Sequence, residues 1–205
     1  MAETGRAAPT DSGRIVVKVG GSLAETGRLK DTLALIAAAH RPVIVVPGGG
    51  KFADSVRDLQ TAFRFDDRAA HRLAMLGMHQ MAELYFKLEP RLAPADSLGG
   101  FARVLAVGQI PVWLPLHMCQ HDETIPENWT ITSDGLAARL AERLGHVPVV
   151  LLKSVDVDKS TTAEQLAAEG VVDPVFAAIA ARAKLAWEVL GPAGDVRLKE
   201  RLGVN

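Results

Sequence analysis

Arg14-Ile15-Val16-Val17-Lys18-Val19 runs directly into Gly20-Gly21-Ser22, and Pro42-Val43-Ile44-Val45-Val46 runs directly into Pro47-Gly48-Gly49-Gly50. Each is a short β-branched run halted by glycine, the pattern of a strand buried on both faces. Between them Leu29, Leu33, Ile36 and Ala37 recur at helical intervals within Leu29–His40. Strand, glycine loop, helix, strand, glycine loop is a βαβ unit, and its strands run parallel. The expected fold is α/β: a three-layer αβα sandwich around a mainly parallel sheet.

The alternation continues outward from this unit. Within Asp67–Leu88, residues Ala70, Leu73, Ala74, Met81, Leu84, Tyr85 and Leu88 form one apolar stripe, with Asp66 or Asp67 as cap. Leu98–Val107 reads as a helix and Pro111–Leu114 as a strand. His117–Trp129 has turn formers and no period, so an irregular loop is expected. Ser133 or Asp134 should cap a helix through Leu144. Val147–Leu152 is another buried strand, Pro174 opens a helix to about Ala183, Leu185–Leu190 is a last strand, and a short helix follows Gly194. With no repeat and no linker, residues 13–205 read as one domain behind a disordered tail, residues 1–12.

Composition bounds the function. The 205 residues are 48% hydrophobic and 23% charged, the balance of an ordinary globular domain. Net charge is −1 with no basic block, which argues against nucleic acid as a partner. Nothing approaches the roughly 20 apolar residues of a membrane span, and Met1–Ser12 lacks the apolar centre of a signal peptide. The single cysteine, Cys119, cannot form an internal disulfide and fits a reducing cytoplasm.

Three strand-to-helix junctions carry chemistry. At Lys18-Val19-Gly20-Gly21-Ser22, successive glycines let backbone N–H groups converge on a phosphate, with an ammonium at the strand's end; a tight turn with a solvated lysine is the plainer reading. Pro47-Gly48-Gly49-Gly50-Lys51 opens a helix whose N-terminus favours anions. Read through to Ala53 it also fits the loose dinucleotide pattern G-x-G-x-x-A, which would predict nicotinamide binding. No Walker pattern occurs. At Thr132-Ser133-Asp134 the residue types suit an N-cap, and equally an aspartate anchoring a lysine or a nucleotide's metal.

These segments, with Leu151-Leu152-Lys153-Ser154-Val155-Asp156, occur in an order that resembles the amino acid kinase superfamily from Ile15 to about Val155. Ala70–Met75 and Ile125–Asp134 resemble its small members that phosphorylate a furan-methyl phosphate in methanofuran-type carrier biosynthesis. The resemblance implies transfer of the γ-phosphoryl group of ATP, with Mg²⁺, to a small-molecule phosphate or carboxylate acceptor. It implies that Lys18 bridges the β- and γ-phosphates while Gly20, Gly21 and Ser22 donate to the transferring group. Gly48, Gly49, Gly50, His71, Trp129, Thr132 and Ser133 would hold the acceptor. Asp134 would orient the lysines, and Lys153, Ser154, Val155, Asp156 and Lys159 would serve the nucleotide. A homodimer or larger homo-oligomer through 67–88 is also implied. The chain departs from the superfamily in reading Val155-Asp156-Val157 where Val-Asp-Gly is usual, in a short following loop with Lys159 as the substitute lysine, and in Gly135 where serine is expected. Those departures leave a second reading open, a non-catalytic nucleotide- or oxyanion-storing protein on the same fold.

His71 reads as a packed histidine or as an acceptor contact, and Trp129 as a core anchor or as a wall for an aromatic acceptor. His117, Cys119 and His121 lie close together but match no zinc spacing, so no metal site is expected. Met75, Met78 and Met81 suit a core or a subunit interface.

Overall fold

A computed structural model describes residues 13–204; the tail expected to be disordered, 1–12, lies outside the described residues. Six strands form one sheet: β1 (Ile15–Val19), β2 (Val43–Pro47), β3 (Leu92–Ala95), β4 (Ile110–Trp113), β5 (Val149–Leu152) and β6 (Trp187–Leu190). The order is β3-β4-β2-β1-β5-β6, and every described pairing is parallel. β1 is central, with Lys18 in register with Val46 on one side and Leu151 on the other. Strand order reverses at β1, so the C-terminal ends of β1, β2 and β5 border the crevice where open parallel sheets bind ligands.

The helices cover both faces. They are α1 (Leu29–Ala37), α2 (Gly50–Phe63), α3 (Asp67–Leu88), α4 (Leu98–Ala106), α5 (Leu116–Cys119), α6 (Ser133–Arg143), α7 (Ala163–Ala168), α8 (Pro174–Arg182) and α9 (Asp195–Leu202). On one face Val16, Ile44, Val46 and Leu151 bury against Leu136 and Leu140 of α6 and Phe176 of α8. On the other, Ile15, Val17, Val19, Val43 and Val45 bury against Leu33 and Ile36 of α1 and Tyr85 of α3. Side chains alternate along a strand, so Lys18 shares the face of Val16. The start of α6 therefore lies above its ammonium.

Three features differ from expectation. β3, Leu92-Ala93-Pro94-Ala95, carries almost no β-forming residues and persists as an edge strand, the place where proline is tolerated. The segment expected to be irregular contains the single turn α5. α7 was not anticipated, although Thr162 and Gln165 form a capping box at its start.

The two polyglycine bends touch. A Cβ on Gly21 would lie 2.3 Å from Gly50 N, and one on Gly48 would lie 2.5 Å from Gly21 N. Side chains are excluded at this contact by backbone on both sides. Gly50 also adopts φ +50, which only glycine enters readily. Gly21→Ala should part the bends and cost about 3 kcal/mol in urea unfolding. Gly27→Ala, at φ +74 with open space around it, should cost only about 1 kcal/mol.

Candidate active site

A cleft of about 290 Å³ opens at the crevice beside β1. β1 supplies Lys18, the following turn Gly21 and Ser22, and the second bend Gly48, Gly49 and Gly50. α2 and α3 form one wall, with Asp54, Arg57, His71, Met75 and Met78. The opposite side carries Trp129, Thr132, Ser133, Asp134 and Lys153. Residues from distant parts of the chain thus meet because the switch point brings their strand ends together.

Asp134 sits at the back of the cleft, 2% exposed. Lys18 Nζ lies 2.8 Å from its Oδ1, and Lys153 donates a hydrogen bond to Oδ2. The two ammoniums thus take one carboxylate oxygen each. Burial pushes the Asp134 carboxyl up, but Lys18 and Lys153 together outweigh it and hold the group below the ordinary carboxylate range. Burial first, and the neighbouring Lys18 second, lower the Lys153 ammonium. One carboxylate facing two ammoniums leaves net positive charge directed at the cleft. A polyanion entering there would supply the missing counter-charge.

Thr132, rather than Ser133 or Asp134, is the N-cap of α6; its side-chain oxygen accepts from Asp134 N at 3.4 Å. The Asp134 side chain is therefore left to the lysines. The turn is fixed by Asp173, which the sequence did not single out. Its Oδ2 accepts from Thr132 N (2.9 Å), Thr132 Oγ1 (2.7 Å) and Gly135 N (2.8 Å), while Oδ1 accepts from Phe176 N at 2.7 Å to cap α8. Burial and the charge of Asp134 push the Asp173 carboxyl above the ordinary range. A Cβ on Gly135 would lie 2.7 Å from Asp173 Oδ1, so the glycine found where serine was expected makes room for this carboxylate.

Backbone donors are distributed differently from expectation. Gly20 N–H is committed to Leu152 O at 3.1 Å and Gly48 N–H to Val19 O at 2.8 Å, so neither is available to a phosphate. In the 3₁₀ turn Gly21–Ala24 the first internal bond is Leu23 N–H to Gly20 O. The turn itself therefore uses neither the Gly21 nor the Ser22 N–H. The G-x-G-x-x-A match, Gly48, Gly50 and Ala53, is accounted for by packing: a Cβ on Gly48 would lie 2.5 Å from Gly21 N, Gly50 takes φ +50, and Ala53 packs where a Cβ on Gly49 would meet it at 2.5 Å.

On the α2–α3 wall, the Arg57 guanidinium lies over the Trp129 ring, 4.2 Å from its centroid. Trp129 Nε1 donates to Gln60 Oε1 at 2.6 Å, and Gln60 Nε2 donates to Asp67 Oδ1 at 2.8 Å. Trp129 is thus held at the rim by its indole N–H. His71 is 6% exposed; burial lowers its pKa against the opposing pull of Glu127 and the Asn128 backbone, favouring neutral imidazole. Met75 and Met78 line the cleft, whereas Met81 belongs to the core across the sheet.

Ser154, Val155, Asp156 and Lys159 are exposed and do not line this cleft. Asp156 Oδ1 accepts from Ala193 N at 3.0 Å, and a Cβ on Gly191 would lie 2.3 Å from Val155 O. That segment packs on the turn after β6; of the residues expected to serve the nucleotide after β5, Lys153 lines the cleft. His117 and His121 meet edge to face at 5.8 Å; among the described residues no three His, Cys, Asp or Glu side chains gather to hold a metal.

The Asp134 cluster makes a signed prediction. Its folded pKa lies below the unfolded value, so its contribution to stability is present above about pH 4 and fades as pH falls through the lowered value. Asp134→Asn should cost about 3–5 kcal/mol at pH 7 by leaving two ammoniums unopposed. That gap should narrow in urea unfolding series taken to lower pH. Adding Lys153→Met should recover part of the loss at pH 7.

Over 143 residues the chain is 27% identical to the [5-(aminomethyl)furan-3-yl]methyl phosphate kinase of Methanocaldococcus jannaschii. The match takes in 69% of this chain and 66% of that protein, just under two thirds of its length. The uridylate kinase from Archaeoglobus fulgidus superposes with a TM-score of 0.66 at 21% identity, covering 93% of this chain and 96% of that one, a likeness of fold. The model of the amino acid kinase family matches residues 13–164, well over half the chain. The chain belongs to the amino acid kinase family.

Proposed function

We propose that the protein is a phosphotransferase that moves the γ-phosphoryl group of ATP onto the phosphate of a small furan-methyl phosphate, giving a diphosphate. The observation that carries this reading is the buried Lys18–Asp134–Lys153 cluster at the switch point of the sheet. Burying two ammoniums beside one carboxylate is costly to folding, and the arrangement suits a site that stabilises charge on a transferring phosphoryl group. Two fixed cations would equally hold a stored oxyanion, so turnover of Mg-ATP, not the cluster, separates catalysis from the storage reading.

In the proposed reaction an oxygen of the acceptor phosphate attacks the γ-phosphorus. The bond from that phosphorus to the β,γ-bridging oxygen breaks, and its electron pair leaves with ADP. A dianionic acceptor has no proton to lose, so the neutral His71 and the ion-paired Asp134 are not required as bases. Lys18 and Lys153 neutralise charge on the oxygens in transit, and the Gly21 and Ser22 N–H groups donate to them. Asp134 holds the lysines in place. Its oxygens face ammoniums; a Mg²⁺ ion would be carried in by the nucleotide's own phosphates and would add charge neutralisation there. Trp129 and Met75 supply the apolar wall that a furan ring needs.

We further infer that a second copy covers the outer surface of α2 and α3, where Phe52, Leu59, Phe63, Leu73, Leu76 and Leu84 are exposed, Phe63 by 75%. Such a patch fits a protein contact. No helix among the described residues is long and apolar enough to cross a membrane; we place the protein in the cytoplasm, where ATP is abundant and a lone buried thiol, Cys119, persists reduced.

Purified protein with Mg-ATP and [5-(aminomethyl)furan-3-yl]methyl phosphate should form the diphosphate, and Lys18→Met should lower kcat by roughly 10²-fold or more. Absence of diphosphate at every practical enzyme concentration would sink the acceptor assignment. Leu73→Glu should lower the molar mass measured by light scattering to that of one chain; an unchanged mass would place any subunit contact elsewhere.

A further inference from the structure

The structure assigns to Arg57 a role as the residue that selects a phosphate-bearing acceptor; the assignment rests on the kinase reading and deepens it. Two lysines and an arginine line the cleft: Lys18, Lys153 and Arg57. The two lysines converge on Asp134 at the back, where the transferred group belongs. On the α2–α3 wall, Arg57 is the cation among the cleft residues, because burial keeps the neighbouring His71 neutral.

The guanidinium is held ready. It lies over the Trp129 ring at 4.2 Å, and that ring is pinned through Gln60 to Asp67. The ionic partner of Arg57 is Asp54, three residues earlier on α2 at 3.0 Å. The two side chains are 48% and 62% exposed, so the pair contributes little and is readily exchanged. A phosphate dianion offers the same planar fork two oxygens and more charge than one carboxylate. Asp54 therefore acts as a placeholder that the acceptor displaces, and an alcohol lacking the phosphate gains nothing from the exchange.

Calorimetry without nucleotide tests this, using [5-(aminomethyl)furan-3-yl]methyl phosphate and the matching furan-methyl alcohol as probes. Wild-type protein should prefer the ester by about 30-fold or more, Arg57→Gln should bring the preference to within about 3-fold, and Arg57→Lys should fall between. Asp54→Asn should bind the ester as tightly as wild type or more tightly, since the competitor is gone. Equal affinity of wild type for ester and alcohol, a preference surviving in Arg57→Gln, or a loss in Asp54→Asn as large as in Arg57→Gln would each overturn the assignment. The diphosphate assay separates the two readings. Arg57-dependent ester binding without diphosphate formation removes the kinase reading alone, and turnover with an unchanged acceptor KM in Arg57→Gln removes the Arg57 assignment alone.

Discussion

Two ammoniums, from Lys18 and Lys153, share the buried carboxylate of Asp134, and that shared charge constrains everything around it. A lysine can be buried within a sheet only if its ammonium meets an anion. Lys18 meets its anion because the side-chain alternation of β1 points it toward the start of α6. Lys153 arrives at the same carboxylate because β5 is the other neighbour of β1 in the sheet. The cluster therefore depends on this strand order, in a sheet whose strands are buried on both faces. Fold and charge site depend on one another.

The glycines carry the second constraint. The bends after β1 and β2 approach so closely that Gly21, Gly48 and Gly50 meet backbone to backbone. The approach shapes the cleft by letting two short loops border one hollow. Part of what reads in the sequence as a phosphate cradle is thus a packing requirement. Gly20 and Gly48 spend their N–H groups within the protein, on Leu152 O and Val19 O.

Much of the architecture was legible because β-branched runs ending in glycine are hard to read otherwise; β1, β2 and β5 are such runs. β3 was not, because Leu92-Ala93-Pro94-Ala95 lacks that signature and its pairing comes from tertiary context at the sheet edge. Within the site, Lys18, Asp134 and the glycine bends stood out because their order along the chain resembled a known family. Arg57 did not, since an arginine on an amphipathic helix looks like any solvated charge until Trp129 is seen beside it. Asp173 had a partial signal: Asp-Pro at a helix start reads as an N-cap, and it is one. Nothing in local sequence announces its second set of bonds, to Thr132 and Gly135. Exposure of the Ser154–Asp156 segment likewise depends on the turn after β6, which spacing does not describe.

Asp173 also bears on the chronology of the molecule. A chain emerging from a ribosome presents Lys18, both bends and Asp134 well before residue 173 follows. Until then the first turn of α6 lacks the acceptor for Thr132 and Gly135, and Asp134 has only Lys18 beside it. Lys153 too is added only after the first five strands are nearly complete. The bonds of Thr132 and Gly135 to Asp173, and that of Asp134 to Lys153, thus exist only once the late-made part of the protein has docked.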